Sequence, residues 1–366
     1  MGMTGTIVLA AGGTGGHLFP AQALAGVLAR RGWKIVVMTD ARFANYATQF
    51  PGARTLTVPS SPFSSILAPF KIMAGIVTAV AKLMRLQPAA VVGFGGYPSV
   101  PVMLGAVAAG LPTAVIEQNA VAGRANRLVM NKVRRVAAAF PIARFAPNDR
   151  AKIVLTGNPL RPEVEALYGK PYEMPQAGGG LRLLVFGGSQ GARAFSEIVP
   201  AALTRLPHDL KLRLSVVQQC RAEDLEAVKA IYANAEIRAD LRPFFNDLPQ
   251  RMAEAHLVIG RSGAGTVAEL MAIGRPAILV PLPTAMDDHQ TDNAAILSRA
   301  GAGWLVAQKT LTAESLAELL LQLFRDPAQL AARAEAAHKL AIPHAAENLA
   351  DMVEQLANSS ASRKAA

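Results

Sequence analysis

The stretch "LAAGGTGGHLFPAQAL", residues 9–24, decides how this chain is read. Four glycines fall within five positions, Gly12 to Gly16, and His17 follows them. Clustered glycines lose much backbone entropy on folding, so they belong where backbone approaches something closely or takes positive φ. Thr6 to Ala11 before them reads as a buried strand. From Ala21 to Arg30, Leu24, Val27 and Leu28 share one helical face. Strand, glycine turn and helix aim free backbone N–H groups at an anion, so the spacing predicts a phosphate loop. The dinucleotide pattern G-x-G-x-x-G is not met, because its third position falls on Leu18, and there is no Walker lysine. A tight turn without a ligand is the plainer alternative. His17 stands at a helix start, where the dipole favours a neutral ring suited to general-base work.

Working outward, 366 residues give room for two domains and a large core. With 51% hydrophobic and 17% charged residues, the chain is apolar enough that a membrane must be considered. Its longest charge-free run, between Arg85 and Glu117, holds Pro88, Pro98, Pro101 and Pro112 and cannot be one spanning helix. A core strand beginning at Thr6 leaves no room for a signal peptide and follows too closely on "MGMTGT" for myristoylation. One cysteine, Cys220, excludes an intrachain disulfide and a Cys-rich zinc site, and fits a reducing cytoplasm. The net charge of +11 predicts an anionic partner. Few aromatics and no aromatic-basic run weigh against nucleic acid.

Strands are expected at Thr6–Ala11, Lys34–Thr39, Thr55–Val58, Ala90–Gly93, Thr113–Ile116, Arg135–Ala138 and Ile153–Thr156, mostly with helices between them. "KPYEMPQAGGG", residues 170–180, reads as a linker. Then "LRLLVFGGSQGARAFSEIV" repeats the opening theme, and strands follow near Lys211–Val217, His256–Ile259 and Pro276–Val280. The expected fold is α/β: two Rossmann-like, doubly wound domains facing a cleft, residues 1–160 and 161–343. A last helix, Ala345 to Leu356, is expected to pack back on the first domain (344–357), with "NSSASRKAA" disordered.

Three further stretches carry chemistry. In "LVIGRSGAGTVAELMAIGRPAILV", residues 257–280, the turn Arg261–Thr266 opens a helix that stops at Gly274. Its N–H groups with Ser262 and Thr266 suit a diphosphate, and Glu269 suits a ribose diol; a solvated Glu269 is equally compatible. "DDHQTDNA", residues 287–294, suits sugar hydroxyls, with Asp288 as a helix cap and no grouping of ligands for a metal. "TGNPLRPE", residues 156–163, brings Arg161, suited to a phosphate or a uracil carbonyl. Asp40, ending the second strand, keeps a nicotinamide-dependent oxidoreductase open; a noncatalytic nucleotide-binding or membrane-scaffold protein is a further alternative. Across Lys71–Leu86, Lys71, Thr78, Lys82 and Arg85 fall on one arc, with Ile72, Met73, Ile76, Val80, Leu83 and Met84 opposite. That pattern fits a core helix or a basic, apolar surface for anionic lipid, with Arg124, Arg127, Lys132, Arg134 and Arg135 adding cations.

"GGTGGH", "GFGGYPS", "EQNAVAG", "TGNPLR", "FGGSQGAR", "RSGAGTVAE" and "DHQTDNA" occur in this order across nearly the whole chain. Together they resemble the MurG family of peptidoglycan N-acetylglucosaminyltransferases. The resemblance implies the GT-B fold and inverting transfer of N-acetylglucosamine from UDP-GlcNAc to lipid I, without cofactor or catalytic metal. It implies Thr14, Gly15 and Gly16 against the donor, His17 as base, and Asn119 at the donor sugar. Arg161 and Ser189 fall on the nucleotide or its phosphates. Ala264, Gly265, Thr266, Val267, Ala268 and Glu269 wrap the diphosphate and ribose, and Gln290 reads the sugar. Phe244 and Phe245 stand where the family has an aromatic-aliphatic pair near the uracil, which leaves open which ring stacks there. The implied partners are lipid I, an anionic membrane surface and other cell-wall synthesis and division proteins. The implied place is peripheral, on the cytoplasmic side of a bacterial inner membrane. Another GT-B nucleotide-sugar transferase is the nearest alternative.

Overall fold

A computed structural model describes residues 5–12, 15–42, 50, 52–62, 65–188 and 191–365, with side chains of the last helix described to 359. The chain divides into two compact units, residues 1–161 with 342–366, and residues 162–341.

The first unit holds β1 (Thr6–Ala10), β2 (Lys34–Thr39), β3 (Arg54–Thr57), β4 (Ala90–Gly93), β5 (Thr113–Glu117), β6 (Arg135–Ala138) and β7 (Ile153–Leu155). They form one sheet in the order β3-β2-β1-β4-β5-β6-β7, parallel throughout. Parallel strands buried on both faces read as continuous apolar runs, and "TIVLA", "AVVG" and "RVAA" do so. The crossovers include α1 (Gly15–Arg30), α2 (Ala68–Leu86), α3 (Ser99–Ala108) and α4 (Arg124–Val129). Leu24 and Leu28 of α1 pack on one core, and α2, α3 and α4 share the other.

The second unit begins with the short α5 (Pro162–Glu165). Its strands are β8 (Leu181–Phe186), β9 (Leu214–Gln219), β10 (Arg238–Arg242), β11 (Leu257–Gly260), β12 (Ala277–Leu279) and β13 (Gly303–Leu305). The order β10-β9-β8-β11-β12-β13 repeats the first unit's pattern around its own central strand. Its further helices are α6 (Arg193–Thr204), α7 (His208–Arg213), α8 (Leu225–Asn234), α9 (Leu248–Glu254), α10 (Ala264–Ile273), α11 (His289–Arg299), α12 (Ala313–Arg325) and α13 (Pro327–Lys339). The chain then returns to the first unit as α14 (Ala345–Ala365). Leu349, Val353 and Leu356 of α14 join the α1 core, and Arg31 holds Asp351 and Glu354.

Several expectations need correction. Gly15 and Gly16 are the first turn of α1, so helix starts well before Ala21. Residues 170–180 do not join the units; they belong to the second, where buried Arg275 donates to the Lys170 and Pro171 carbonyls. Lys211 to Arg213 are helical, and β9 begins only at Leu214. The tail is not irregular: α14 runs on to Ala365, since extending an existing helix gains a hydrogen bond for each residue fixed.

The largest correction concerns α2. Its buried residues are Ala68, Gly75, Ala79 and Leu83. A methyl group at Gly75 would sit 2.1 Å from the Pro59 carbonyl oxygen, and one at Gly105 of α3 would sit 2.9 Å from Ala79 Cβ. Such close approach admits only small side chains, so the small face turns inward. Phe70, Met73, Val77 and Met84 therefore remain exposed, Phe70 at 76%. Nor do the cations form one outward arc, because Lys82 Nζ donates to the Thr57 carbonyl while Lys71 and Arg85 stay exposed.

Candidate active site

In the first unit, the loops leaving β1 and β4 meet around His17. A methyl group at Gly95 would lie 3.4 Å from His17 Cε1; at Gly96 it would lie 3.4 Å from His17 Cδ2 and 2.9 Å from the Gly12 carbonyl oxygen. Both glycines have positive φ, +82° and +70°, so "GFGGYPS" supplies a bend and room for the imidazole. His17 Nδ1 is buried and meets no hydrogen-bond partner among the described residues. Burial lowers the ring's pKa below its usual value, against a smaller pull from the Phe94 backbone. The imidazole is therefore neutral near pH 7.

Glu117 ends β5 fully buried, and no sequence argument had singled it out. Its carboxylate accepts from Asn119 N at 3.0 Å, Gly123 N at 2.8 Å and Asn126 Nδ2 at 2.8 Å. Burial raises its pKa; those bonds oppose the rise. The available signal was a carboxylate closing the otherwise apolar strand "TAVIE". Asn119 thus sits on a loop tied to the sheet. At the unit's end, the Arg161 guanidinium lies 5.8 Å from the ring centre of Phe19 in α1.

Asp40 does not offer a free carboxylate to a ribose. It accepts from the Arg42 backbone at 2.9 Å, the Arg42 guanidinium at 2.7 Å and Ser60 Oγ at 2.8 Å. The feature that kept a nicotinamide reading open is thus committed to internal bonds.

In the second unit, β11 ends at Gly260 and α10 starts after the N-cap Gly263. The first N–H groups of a helix, here Ala264 to Thr266, have no intrahelical acceptor. Beneath them Arg261 is buried, donating to the Val280 and Pro281 carbonyls at 3.1 Å and to Gln308 at 2.7 Å. Ser262 Oγ donates to the Gln290 carbonyl at 2.8 Å, and Asn293 Nδ2 to the Ser262 carbonyl at 3.1 Å. Gln290 Oε1 accepts from Leu282 N at 2.9 Å. The segment Ala264–Glu269 and Gln290 are thereby brought together; Val267 and Ala268 are buried and Glu269 is partly exposed. Asp288 does occupy the N-cap position of α11, but at φ 53° its carboxylate takes the Thr291 hydroxyl at 2.7 Å and caps no backbone N–H.

Gln219, also unforeseen, joins two other loops: it accepts from Gly187 N at 3.0 Å and donates to the Gly188 and Pro243 carbonyls at 2.9 and 3.1 Å. Phe245 is buried, with the Arg251 guanidinium 4.5 Å from its ring centre, whereas Phe244 is exposed. Thr14 and Ser189 lie outside the described residues.

Each unit is thus a parallel sheet with an anion-suited helix start at its carboxyl edge. Residues 7–138 match the glycosyltransferase family 28 N-terminal domain and residues 182–355 its C-terminal domain. The chain belongs to glycosyltransferase family 28. It is 50% identical over 353 residues to the UDP-N-acetylglucosamine--N-acetylmuramyl-(pentapeptide) pyrophosphoryl-undecaprenol N-acetylglucosamine transferase of Rhodospirillum centenum, covering 95% of this chain and 93% of that one. It is 47% identical over 362 residues to the protein of the same name in Caulobacter vibrioides, covering 97% and 100%. Among solved structures, MurG of Acinetobacter baumannii matches with a TM-score of 0.83 at 33% identity, covering 96% of this chain and 99% of that one. A family-28 enzyme of GT-B architecture accounts for both units.

Proposed function

We propose that the chain transfers N-acetylglucosamine from UDP-GlcNAc to the C4 hydroxyl of MurNAc in lipid I, undecaprenyl-pyrophosphoryl-MurNAc-pentapeptide, giving lipid II for peptidoglycan. The observation that carries this reading is the start of α10, whose first N–H groups have no intrahelical acceptor and directly follow buried Arg261 and Ser262, the latter bonded to the Gln290 carbonyl. It supports donor binding by the second unit, with the diphosphate on Ala264–Thr266, the ribose on Glu269 and the sugar on Gln290. Thr14, Gly15, Gly16, Asn119, Arg161, Ser189 and the Phe245 backbone complete the donor contacts. The first unit takes the acceptor.

Neutral His17 removes the proton of the attacking hydroxyl. The hydroxyl oxygen bonds to the anomeric carbon as the bond to the diphosphate breaks, and the α-linked donor becomes a β-linked product. Helix N-termini and arginines stabilise the charge on departing UDP. The test is UDP release from UDP-GlcNAc on adding a lipid I analogue. Release should require the analogue; no release would overturn the reading.

The acceptor's lipid chain calls for contact with a bilayer, and among the described residues no helix is long and apolar enough to cross one. The exposed α2 stripe of Phe70, Met73, Val77 and Met84, flanked by Lys71 and Arg85, supports peripheral attachment to anionic lipid on the cytoplasmic side of a bacterial inner membrane. Other cell-wall synthesis and division proteins are further partners on this reading. Each cation near the surface contributes about 1 kcal/mol with anionic lipid. Raising salt should release the protein from anionic vesicles, and neutral vesicles should bind it poorly. Equal binding to both would rule the surface out.

A further inference from the structure

The segment after β6 contains a contact that the reaction described above does not use. Phe145 is a non-glycine residue at φ +60°, a conformation that crowds its Cβ, and the residue is 52% exposed. An exposed aromatic residue on a strained backbone is retained where the surroundings hold it for a purpose. Here the Arg127 guanidinium lies over the Phe145 ring, 3.6 Å from its centre. The same guanidinium donates through Nε to the Ala122 carbonyl at 2.6 Å. Directly before Phe145, the Ala143 N–H donates to the Ala120 carbonyl at 2.7 Å, and the Ala122 N–H donates to the Arg144 carbonyl at 3.2 Å.

These contacts close on one object, the loop from Gln118 to Gly123. Glu117 grips it from within, through Asn119 N and Gly123 N. Residues 143–145 and Arg127 grip it from without. An aromatic-guanidinium stack is attractive even when exposed, and its planar geometry fixes Arg127 in a way that a flexible ammonium would not.

We propose that Arg127 and Phe145 are positioning residues for Asn119: their stack holds the 118–123 loop where Asn119 meets the donor sugar during transfer. This rests on the assignment of Asn119 to the donor under the proposed function. Neither residue touches substrate in this account. They act through the loop, because small displacements of a positioned group cost rate.

The experiment uses the full chain with UDP-GlcNAc and a lipid I analogue, and the variants Phe145→Gly, Phe145→Tyr, Arg127→Lys and Asn119→Ala. Glycine adopts φ +60° without crowding, so Phe145→Gly removes the ring while suiting the backbone. It should lower kcat/KM for UDP-GlcNAc about tenfold, with an unchanged unfolding midpoint. Arg127→Lys should do likewise, and it stands as the second variant if Phe145→Gly folds poorly. Phe145→Tyr keeps the ring and should retain a normal kcat/KM. Combining Phe145→Gly with Asn119→Ala should be no slower than Asn119→Ala alone, because groups acting through one another are not additive. A normal kcat/KM in Phe145→Gly and Arg127→Lys, or independent multiplicative losses in the double variant, would overturn the proposal while leaving Asn119 assigned. A normal kcat/KM in Asn119→Ala would overturn that assignment and the proposal with it.

Discussion

The starts of α1 and α10 occupy corresponding places in the two units and are made of opposite materials. At α10 the polar groups beneath the helix are committed: Arg261 to three acceptors, Ser262 to Gln290, Asn293 to Ser262, and Gln290 Oε1 to Leu282. At α1 the walls are glycines, and two buried polar atoms, His17 Nδ1 and Thr39 Oγ1, meet no hydrogen-bond partner among the described residues. Buried polar groups are ordinarily paired, so each exception needs a reason. A satisfied network suits a rigid cradle for an anion that is only held. An imidazole whose Nδ1 meets no partner among the described residues, in glycine-lined space, suits a group that must take up a proton. Under the proposed function, the contrast fits donor holding by the second unit and proton removal in the first.

The sharpest way to break that contrast is His17→Ala. If the imidazole acts only in the transition state, kcat should fall by on the order of 10²–10⁴ while donor affinity stays constant. Burial lowers the His17 pKa from 6.5, so the ring stays neutral until the pH falls below that value. Wild-type turnover should accordingly drop as pH falls through the lowered pKa, and the variant's profile should lack that limb. A near-normal kcat would leave His17 a loop-shaping residue and give proton removal to another group.

Glu269→Ala probes the opposite side. Leaving the ribose hydroxyls without this partner should weaken UDP-GlcNAc binding by ~1–3 kcal/mol in calorimetry. Unchanged affinity would remove Glu269 from the donor site and weaken the claim that the second unit does the holding.

Two glycine substitutions give a finer comparison. Gly96→Ala places a methyl group 2.9 Å from the Gly12 carbonyl oxygen at φ +70°, so thermal unfolding should show a loss above about 1 kcal/mol. Gly265→Ala meets nothing within 4 Å among the described residues and lies in the first turn of α10. It should stabilise the unliganded protein by about 0.4–1 kcal/mol yet weaken UDP-GlcNAc binding, because the methyl group enters the diphosphate's space. Unchanged binding would put the diphosphate elsewhere.

Much of the fold was legible because its signals are local. "TIVLA", "KIVVMT" and "AVVG" are apolar strands wherever they sit, and Gly274, at φ +69°, stops α10 as a left-handed C-cap. The edge strand β10, "RADLR", escaped notice because an edge needs little apolar character and carries charge instead. β13 escaped because it is three residues long and begins at Gly303, two residues after Gly301, where glycines read as a turn. Within the site, the glycine-rich helix starts could be read directly. Gln219 could not, since it acquires its meaning from partners on other segments; Glu117 closes an apolar strand, but its burial and its bonds come from how the following loop folds back on it.

The sequence by itself determined the alternation of strand and helix, the repetition of one design in two halves, and the glycine-marked helix starts. These follow from periodicity and from backbone freedom, which are properties of neighbouring residues. Only the tertiary structure decided that Asp40 is spent on Arg42 and Ser60, that α2 turns its small residues inward, and that Arg127 stacks on Phe145. Each depends on how closely separate segments approach and which polar groups burial leaves to find partners, and neither quantity is written in the residues of one segment.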